Sequence, residues 1–496
     1  METPVNSGES WPGFDEAWLR VRRMQAKLHL WATCDKGRVF NDLHNLVYDP
    51  AFLVHSWERV QGNKGGRTAG VDGVVPRNLP PLPTGFLSDL RRELKERTYR
   101  PQPVRERLIP KPGTTRKRRL GIPTAADRVV QAALKLVLEP IFEADFSPAS
   151  YGFRPERRAQ DAIAEIHHFT TQRYEWVFEA DIEACFDTID HVALMSRVRN
   201  RVKDKRVLAL IKSFLKAGIM SEEGMDRDTH TGTPQGGILS PLLANIALSI
   251  LDDHFQRKWD AFGIGTAAAG QRRYRHRRKG GAIHKIVRYA DDFVILVAGE
   301  RWQADRVQQE VTWLLRPMGL SLAAEKTRVV HIDDGFDFLG WRIQRRHKAG
   351  TVDKKVVYTY PSKKSLNAII GKVRIITRRS GSPYVSLEQL LRHLNIVVRG
   401  WCNYFRHGVS SATYCYLYLY MWQSVARWLR ARHPKLGWRK IQRRFLTGYP
   451  AHRPAENGIM LYNPQEIAIE RYRWRGYTIP TPWTSFMNRL NTATQA

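Results

Sequence analysis

The sequence predicts an α+β fold followed by a basic, mainly helical module, and three observations predict it. Between Phe86 and Arg345, helical and strand-like apolar patterns alternate, as they do where helices pack on a partly antiparallel sheet. After Arg345 the spacing is mainly helical, and the acids almost vanish. Nothing repeats at a fixed period, which excludes solenoids and propellers.

The chain has 496 residues, enough to bury two or three cores, and 43% hydrophobic residues argue against disorder. No apolar run approaches the ~18 residues of a membrane span. Met1-Glu-Thr-Pro-Val5 lacks the basic-then-apolar pattern of a secretory signal, so no membrane partner is expected. The four cysteines, Cys34, Cys185, Cys402 and Cys415, include no Cys-x-x-Cys pair. They suggest neither a cysteine-rich zinc site nor a disulfide framework, and a cytoplasmic location is expected.

Charge points to the partner class. Eighty Lys+Arg against 48 Asp+Glu give +32, an excess that attracts polyanions, nucleic acid first among them. Residues 342–450 hold 23 Lys+Arg and only Asp353 and Glu388 as acids, so about two-thirds of the surplus lies in less than a quarter of the chain. A second basic cluster, Arg272 to Lys279, is flanked by Gly and Ala and reads as an exposed loop. A third runs from Arg105 to Arg119. Tyr414, Tyr418 and Trp422 recur every four residues in the C-terminal third, a helical stripe expected to pack as core.

Taken in order, residues 18–30 read as a basic helix and residues 61–73 as a turn-rich structured loop without phosphate-loop spacing. Leu79-Pro-Pro-Leu-Pro-Thr84 reads as a hinge or linker. Asp127 to Phe142 has helical apolar spacing, Trp176 to Asp181 reads as a strand, and Leu239 to Leu251 as a helix after a Gly-Gly turn. Ile286 to Val297 is two strands about a tight turn, and the last ~45 residues are looser.

Two segments carry the chemistry. Phe178-Glu-Ala-Asp181 ends a strand, and Tyr289-Ala-Asp291-Asp292 places adjacent acids at a turn between apolar strands. Nucleotidyl transfer needs two divalent cations about 3.5–4 Å apart, and Mg²⁺ prefers carboxylate oxygens held on rigid strand ends. Adjacent aspartates alone are ordinary turn residues. Their company is what distinguishes these.

Tyr289-Ala-Asp-Asp292 resembles the hallmark motif of reverse transcriptases, and Asp181-Ile-Glu-Ala-Cys-Phe-Asp187 resembles their first carboxylate motif. Between them lies Thr233-Pro-Gln-Gly-Gly-Ile-Leu-Ser-Pro241, followed by Asn245. Ile109-Pro-Lys-Pro-Gly113 and Lys117-Arg-Arg-Leu-Gly-Ile-Pro123 resemble fingers motifs, while Gly319 to Thr327 and Phe338-Leu-Gly-Trp341 resemble late palm motifs. Arg399-Gly-Trp-Cys-Asn-Tyr-Phe405 resembles the maturase-specific domain of group II intron proteins, and residues 63–73 resemble their N-terminal extension.

The resemblance implies right-hand polymerase fingers and palm with an α-helical thumb/maturase domain. The expected divisions are an N-terminal extension at 1–85, fingers and palm at 86–345, a thumb/maturase RNA-binding domain at 346–450, and a C-terminal tail at 451–496. It implies that Asp181, Asp291 and Asp292, with the Ile182 carbonyl, ligate Mg²⁺, and that Lys111 and Arg118 neutralise the incoming triphosphate. Arg119 stands where the family more often has Pro, so Arg118 and Arg119 can share or exchange that role. Phe186 corresponds to the ring that blocks a ribose 2′-hydroxyl. Gln235 and its glycines correspond to a close approach to the template–nucleotide pair, and Lys326 to a proton donor or orienting group for pyrophosphate. His191, Asp187 and Asp190 read as structural or capping residues. The implied partners are an intron RNA template, a DNA primer or target, and deoxynucleoside triphosphates. Past Cys415 there is no cysteine, so a zinc-associated nuclease and second-strand nicking are not expected of this chain. The alternatives are a domesticated or defence- or CRISPR-associated reverse transcriptase, or a splicing cofactor without polymerase activity.

Overall fold

A computed structural model describes residues 11–110, 117–220, 226–227, 236–265, 267–448, 452–476 and 478–486. The chain divides into two compact units, one of residues 1–158, 178–329 and 476–496, the other of residues 159–177 and 330–475.

In the first unit, three helices pack together: Phe14–Cys34, Pro50–Gly62 and Ala125–Glu143. Val21, Phe52, Leu53, Trp57, Val130, Leu134 and Val137 are buried among them. The last helix begins where Thr124 accepts the Asp127 N–H at 3.1 Å, a cap worth about 1 kcal/mol. Lys64–Arg67 forms a turn of 3₁₀ helix, so the Gly-rich stretch is structured, as its composition suggests. The following Pro-rich segment is no free hinge. Gln61 Nε2 donates to the Pro76, Leu79 and Pro80 carbonyls, and Trp57 Nε1 to Pro81. Prolines leave those carbonyls without strand partners, and the two side chains satisfy them.

Strands β1 (Val104–Pro110) and β2 (Lys117–Ile122) form an antiparallel hairpin, joined by the short strands β4 (Ile219–Met220) and β5 (Asp226–Arg227) in the order β2-β1-β4-β5. A second sheet contains β3 (Trp176–Ala180), β6 (Ile283–Tyr289), β7 (Asp292–Ala298) and β8 (Arg328–His331) in the order β6-β7-β3-β8. From Phe293 to Ala298 every residue of β7 is buried, which is why it reads as a continuous apolar run and not an alternation. Helix Ser240–Asp260, longer than the apolar spacing implied, packs on β6.

The basic cluster Arg272 to Lys279 is a correction: most of it lies in a helix, Ala267–Arg278, and not in a loop. Ala and Arg are good helix formers, but an exposed helix lacks an apolar stripe and so leaves no periodic signal. The Arg273 guanidinium lies 4.1 Å from the Trp259 ring centroid, and Arg272 Nε donates to the Phe262 carbonyl at 2.6 Å.

In the second unit, β9 (Phe336–Phe338), β10 (Trp341–His347) and β11 (Lys355–Pro361) form a sheet ordered β11-β10-β9. Helices Lys363–Ile376, Leu387–Phe405, Ser411–Arg432 and Trp438–Phe445 follow, as the spacing after Arg345 predicts. Trp341 is buried against Phe405 and against Gly408, where a Cβ would meet its ring at 2.3 Å. Of the aromatic stripe, only Tyr414 is fully core, its hydroxyl donating to the Cys402 carbonyl at 2.7 Å. Tyr418 and Trp422 are half-buried, because the helix turns that stripe toward its edge. All four cysteines are free. Among the described residues no helix is long and apolar enough to cross a membrane.

Candidate active site

The first unit gathers the predicted carboxylates at the ends of its second sheet. β3 is anchored by Val177 and Phe178, both fully buried, and Asp181 follows its last residue. The chain then bridges residues 321–323. Glu183 N–H donates to Ser321 at 3.0 Å and Ala323 N–H to Asp181 at 2.8 Å, while Ile182 pairs with Leu322. These two bonds do not use the Ile182 carbonyl. Ala184, at φ 44°, turns the chain into the short helix Cys185–Thr188, which carries the half-buried Phe186. Asp190 caps the next helix, accepting the Ala193 N–H at 2.7 Å, the structural role expected of it.

The β6–β7 ladder closes at Tyr289 opposite Asp292, so the turn has two residues, Ala290 and Asp291. Ala290 is left-handed, at φ 59°. Gly152 lies directly against this turn: a Cβ there would stand 2.2 Å from the Ala290 nitrogen.

Electrostatics tie the three acids together. Desolvation raises the pKa of Asp291 and the neighbouring Asp181 raises it further, while Arg118 and Lys326 oppose the shift. Asp292 is pushed up to about 6, first by desolvation and then by Asp291 and Asp181. Burial, then Asp291, pushes the Cys185 thiol up to about 12, so it is no nucleophile. Lys326 Nζ is ion-paired with the Asp181 carboxylate, and that bond chiefly raises the lysine's own pKa.

Among the described residues, no three His, Cys, Asp or Glu side chains form a ready metal-binding group. The donor chemistry still fits a hard divalent cation. Three carboxylates crowd one another, and a cation already sits on one of them in the form of the Lys326 ammonium.

On the hairpin, Arg118 and Arg119 are not equivalent. Arg119 Nε lies 3.5 Å from Glu106 Oε1, whereas the charge of Arg118 is felt at Asp291. Lys111 and Gln235 lie outside the described residues. Beside Gln235, Gly236 has φ 115°, and a Cβ there would meet the Gly121 carbonyl at 2.4 Å. Its small size is therefore already required by the protein's own backbone. Sequence reasoning missed Gly152 and Arg288 behind the turn. The one available signal was an arginine set between the apolar Ile286-Val287 pair and the Tyr289-Ala-Asp-Asp292 motif.

Comparison with known proteins gives the family. Residues 109–343 match the family model described as reverse transcriptase (RNA-dependent DNA polymerase), and residues 366–446 match the group II intron, maturase-specific domain. The chain is 36% identical over 380 residues to Protein YkfC of Escherichia coli strain K12, covering 72% of this chain and 98% of that one. It is 30% identical over 438 residues to the group II intron-encoded protein LtrA of Lactococcus lactis subsp. cremoris, covering 75% of this chain and 71% of that one. Among solved structures, a chain of the partial Cas6-RT-Cas1–Cas2 complex matches 55% of this chain and 42% of its own, at 26% identity and TM-score 0.32, a likeness too slight to carry an argument. With its carboxylate-bearing sheet and the helical module that follows, the chain belongs to the group II intron reverse transcriptase/maturase family and contains an RNA-directed DNA polymerase domain.

Proposed function

We propose that this protein copies an intron RNA into DNA from a DNA primer and binds the same RNA to assist its splicing, the two activities that retrohoming combines. The observation that carries the polymerase half is geometric: Asp181 follows β3, Asp291 and Asp292 stand at the start of the neighbouring β7, and the Lys326 ammonium pairs with Asp181. In this reading they hold Mg²⁺, with the Ile182 carbonyl as a further oxygen. Bound there, the metal neutralises charge on the triphosphate and lowers the pKa of the primer 3′-hydroxyl.

The chain's own residues do the rest. Lys111, and Arg118 on the β1–β2 hairpin, bind the phosphates of the incoming nucleotide. Arg118 is the better placed of the two adjacent arginines, since Glu106 engages its neighbour. The Phe186 ring excludes a 2′-hydroxyl, and Gln235 lies along the nascent pair. The 3′-hydroxyl gives up its proton to solvent water, its oxygen forms the bond to the α-phosphorus, and the bond to pyrophosphate breaks. Lys326, kept as an ammonium by Asp181, can pass a proton to the departing pyrophosphate once nucleotide draws it away.

The second unit supplies RNA binding in this reading, as thumb and maturase module. Its outward faces carry Lys372, Arg374, Arg378, Arg379, Arg427, Arg430, Arg443 and Arg444, all exposed. Such exposed surface cations suit phosphate backbone and not base recognition. Intron RNA should therefore bind tightly with a steep salt dependence, and catalytically dead Asp291→Asn protein should retain that binding. Loss of intron binding in that variant would contradict the division of labour.

A further inference from the structure

We propose that Arg288, Asp252 and Asn245 are positioning residues for the catalytic turn, holding the Ala290 peptide and thereby the aim of Asp291 and Asp292. The proposal rests on the reading of those two aspartates as metal-holding residues and extends it to groups that never meet substrate. Arg288 and Asp252 are fully buried and Asn245 nearly so.

The contacts form a closed loop behind the turn. Arg288 Nη1 donates to the Ala290 carbonyl and to Asn245 Oδ1, each at 2.9 Å. Asn245 Nδ2 donates in turn to the Gly152 carbonyl at 2.9 Å, and Gly152 abuts the Ala290 nitrogen. The Asp252 carboxylate accepts from Arg288 Nε at 3.0 and 3.1 Å and also from Nη2. The Arg288 backbone is fixed as well, its N–H donating to Ala149 at 3.0 Å and its carbonyl accepting from Tyr151 at 2.8 Å.

Two physical arguments make this a device for geometry. A left-handed alanine costs about 1–2 kcal/mol and persists only where its surroundings hold it. The Arg288 bond to Ala290 and the Gly152 contact are those surroundings. Secondly, a buried ion pair seldom adds stability over apolar packing of similar volume, because desolvating both ions costs several kcal/mol. The neighbours Ile286, Val287, Leu248 and Leu251 are all apolar and buried, so an apolar pair would suit this site for stability alone. It would not hold a carbonyl.

The test is the double variant Arg288→Met/Asp252→Leu, with Arg288→Lys beside it. Lysine keeps the charge but cannot reach Ala290, Asn245 and Asp252 together. Each protein would be assembled with RNA template, dideoxy-terminated DNA primer and deoxynucleotide, and its Mn²⁺ affinity read by electron paramagnetic resonance. Melting temperature, primer–template Kd, and kcat and KM for nucleotide on an extendable primer complete the set. The proposal expects the double variant to fold, with a melting temperature lowered by the acceptors left at Ala290 and Asn245, and with Kd and KM within about twofold. It expects kcat to fall by about 10- to 100-fold, the scale of a displacement under 1 Å, with weaker Mn²⁺ binding. A folded double variant with wild-type kcat and Mn²⁺ affinity would overturn it. If the double variant does not fold, the same readouts on Arg288→Lys decide the matter. Asp291→Asn, run alongside, keeps the two claims apart: its full activity would sink the metal reading itself, whatever the network variants do.

Discussion

Gly152→Ala should nearly silence polymerisation while leaving nucleic-acid binding intact. A Cβ at this position would stand 2.2 Å from the Ala290 nitrogen and 2.7 Å from the Tyr289 carbonyl carbon. Ordinary contact between such atoms is about 3.5 Å, so a gap of roughly 1 Å must open. Both partners are backbone, and the Gly152 carbonyl is held by Asn245, so no flexible side chain can yield in their place. The movement therefore falls on the turn that carries Asp291 and Asp292. Misplacing reactive groups by about 1 Å costs about 10²-fold in rate, or roughly 2.7 kcal/mol of activation free energy. The assay is single-turnover extension of a DNA primer on an RNA template at saturating nucleotide, with primer–template Kd from fluorescence anisotropy. Gly85→Ala is the matched control, because its Cβ would meet nothing within 4 Å. Wild-type extension by folded Gly152→Ala would refute the reasoning, since the turn would then tolerate a displacement it is argued not to survive.

Three further outcomes follow from other parts of the molecule. Phe186→Ala should admit ribonucleotides far better than the parent protein; unchanged sugar discrimination in competition assays would make Phe186 a packing residue only. Replacing Lys372, Arg374, Arg378 and Arg379 together should flatten the log–log salt dependence of intron RNA binding by about two to three units, with primer extension on a short unstructured template changing less. An unchanged slope would place the phosphate contacts elsewhere. In the second unit, the Arg345 and Lys355 cations hold Asp333 down at about 2 from its ordinary 3.8. A lowered carboxylate pKa stabilises the fold above the unfolded value, and that stability is lost as pH falls from about 4 through 2. Because Asp333 is part-exposed, the contribution is about 1 kcal/mol. Denaturant melts at pH 5 and pH 2.5 should show Asp333→Asn losing that share of the pH dependence, and identical acid sensitivity would contradict it.

Much of this protein was legible in its sequence where a local pattern coincides with a physical constraint. Strand β7 announces itself, because burial on both faces demands unbroken apolar residues, and the acids at its start mark the turn from β6. Asp181 is legible for the same reason, at the end of a short buried strand. The helix Ala267–Arg278 was not, since an exposed helix owes nothing to periodicity. The half-exposure of Tyr418 and Trp422 was not legible either, because spacing places residues on one face without saying how far that face turns inward. The Arg288, Asp252 and Asn245 network is spread over more than forty residues of sequence, and its meaning exists only once a helix and a strand are brought together. Lys326 was legible by motif, but its bond to Asp181 was not. That bond comes from the bridge between Ile182 and Leu322, a pairing no local pattern announces.

The central claim is that Asp181, Asp291 and Asp292 form one polymerase site, and RNA-templated incorporation of deoxynucleotides tests it most directly. Purified protein, an RNA template annealed to a DNA primer, deoxynucleotides and Mg²⁺ should yield extended DNA, and omission of Mg²⁺ should abolish it. Asp181→Asn and Asp291→Asn should each lose activity by several orders of magnitude, while binding intron RNA as tightly as the parent protein. Extension that survives in the Asp181→Asn/Asp291→Asn double variant would contradict the account.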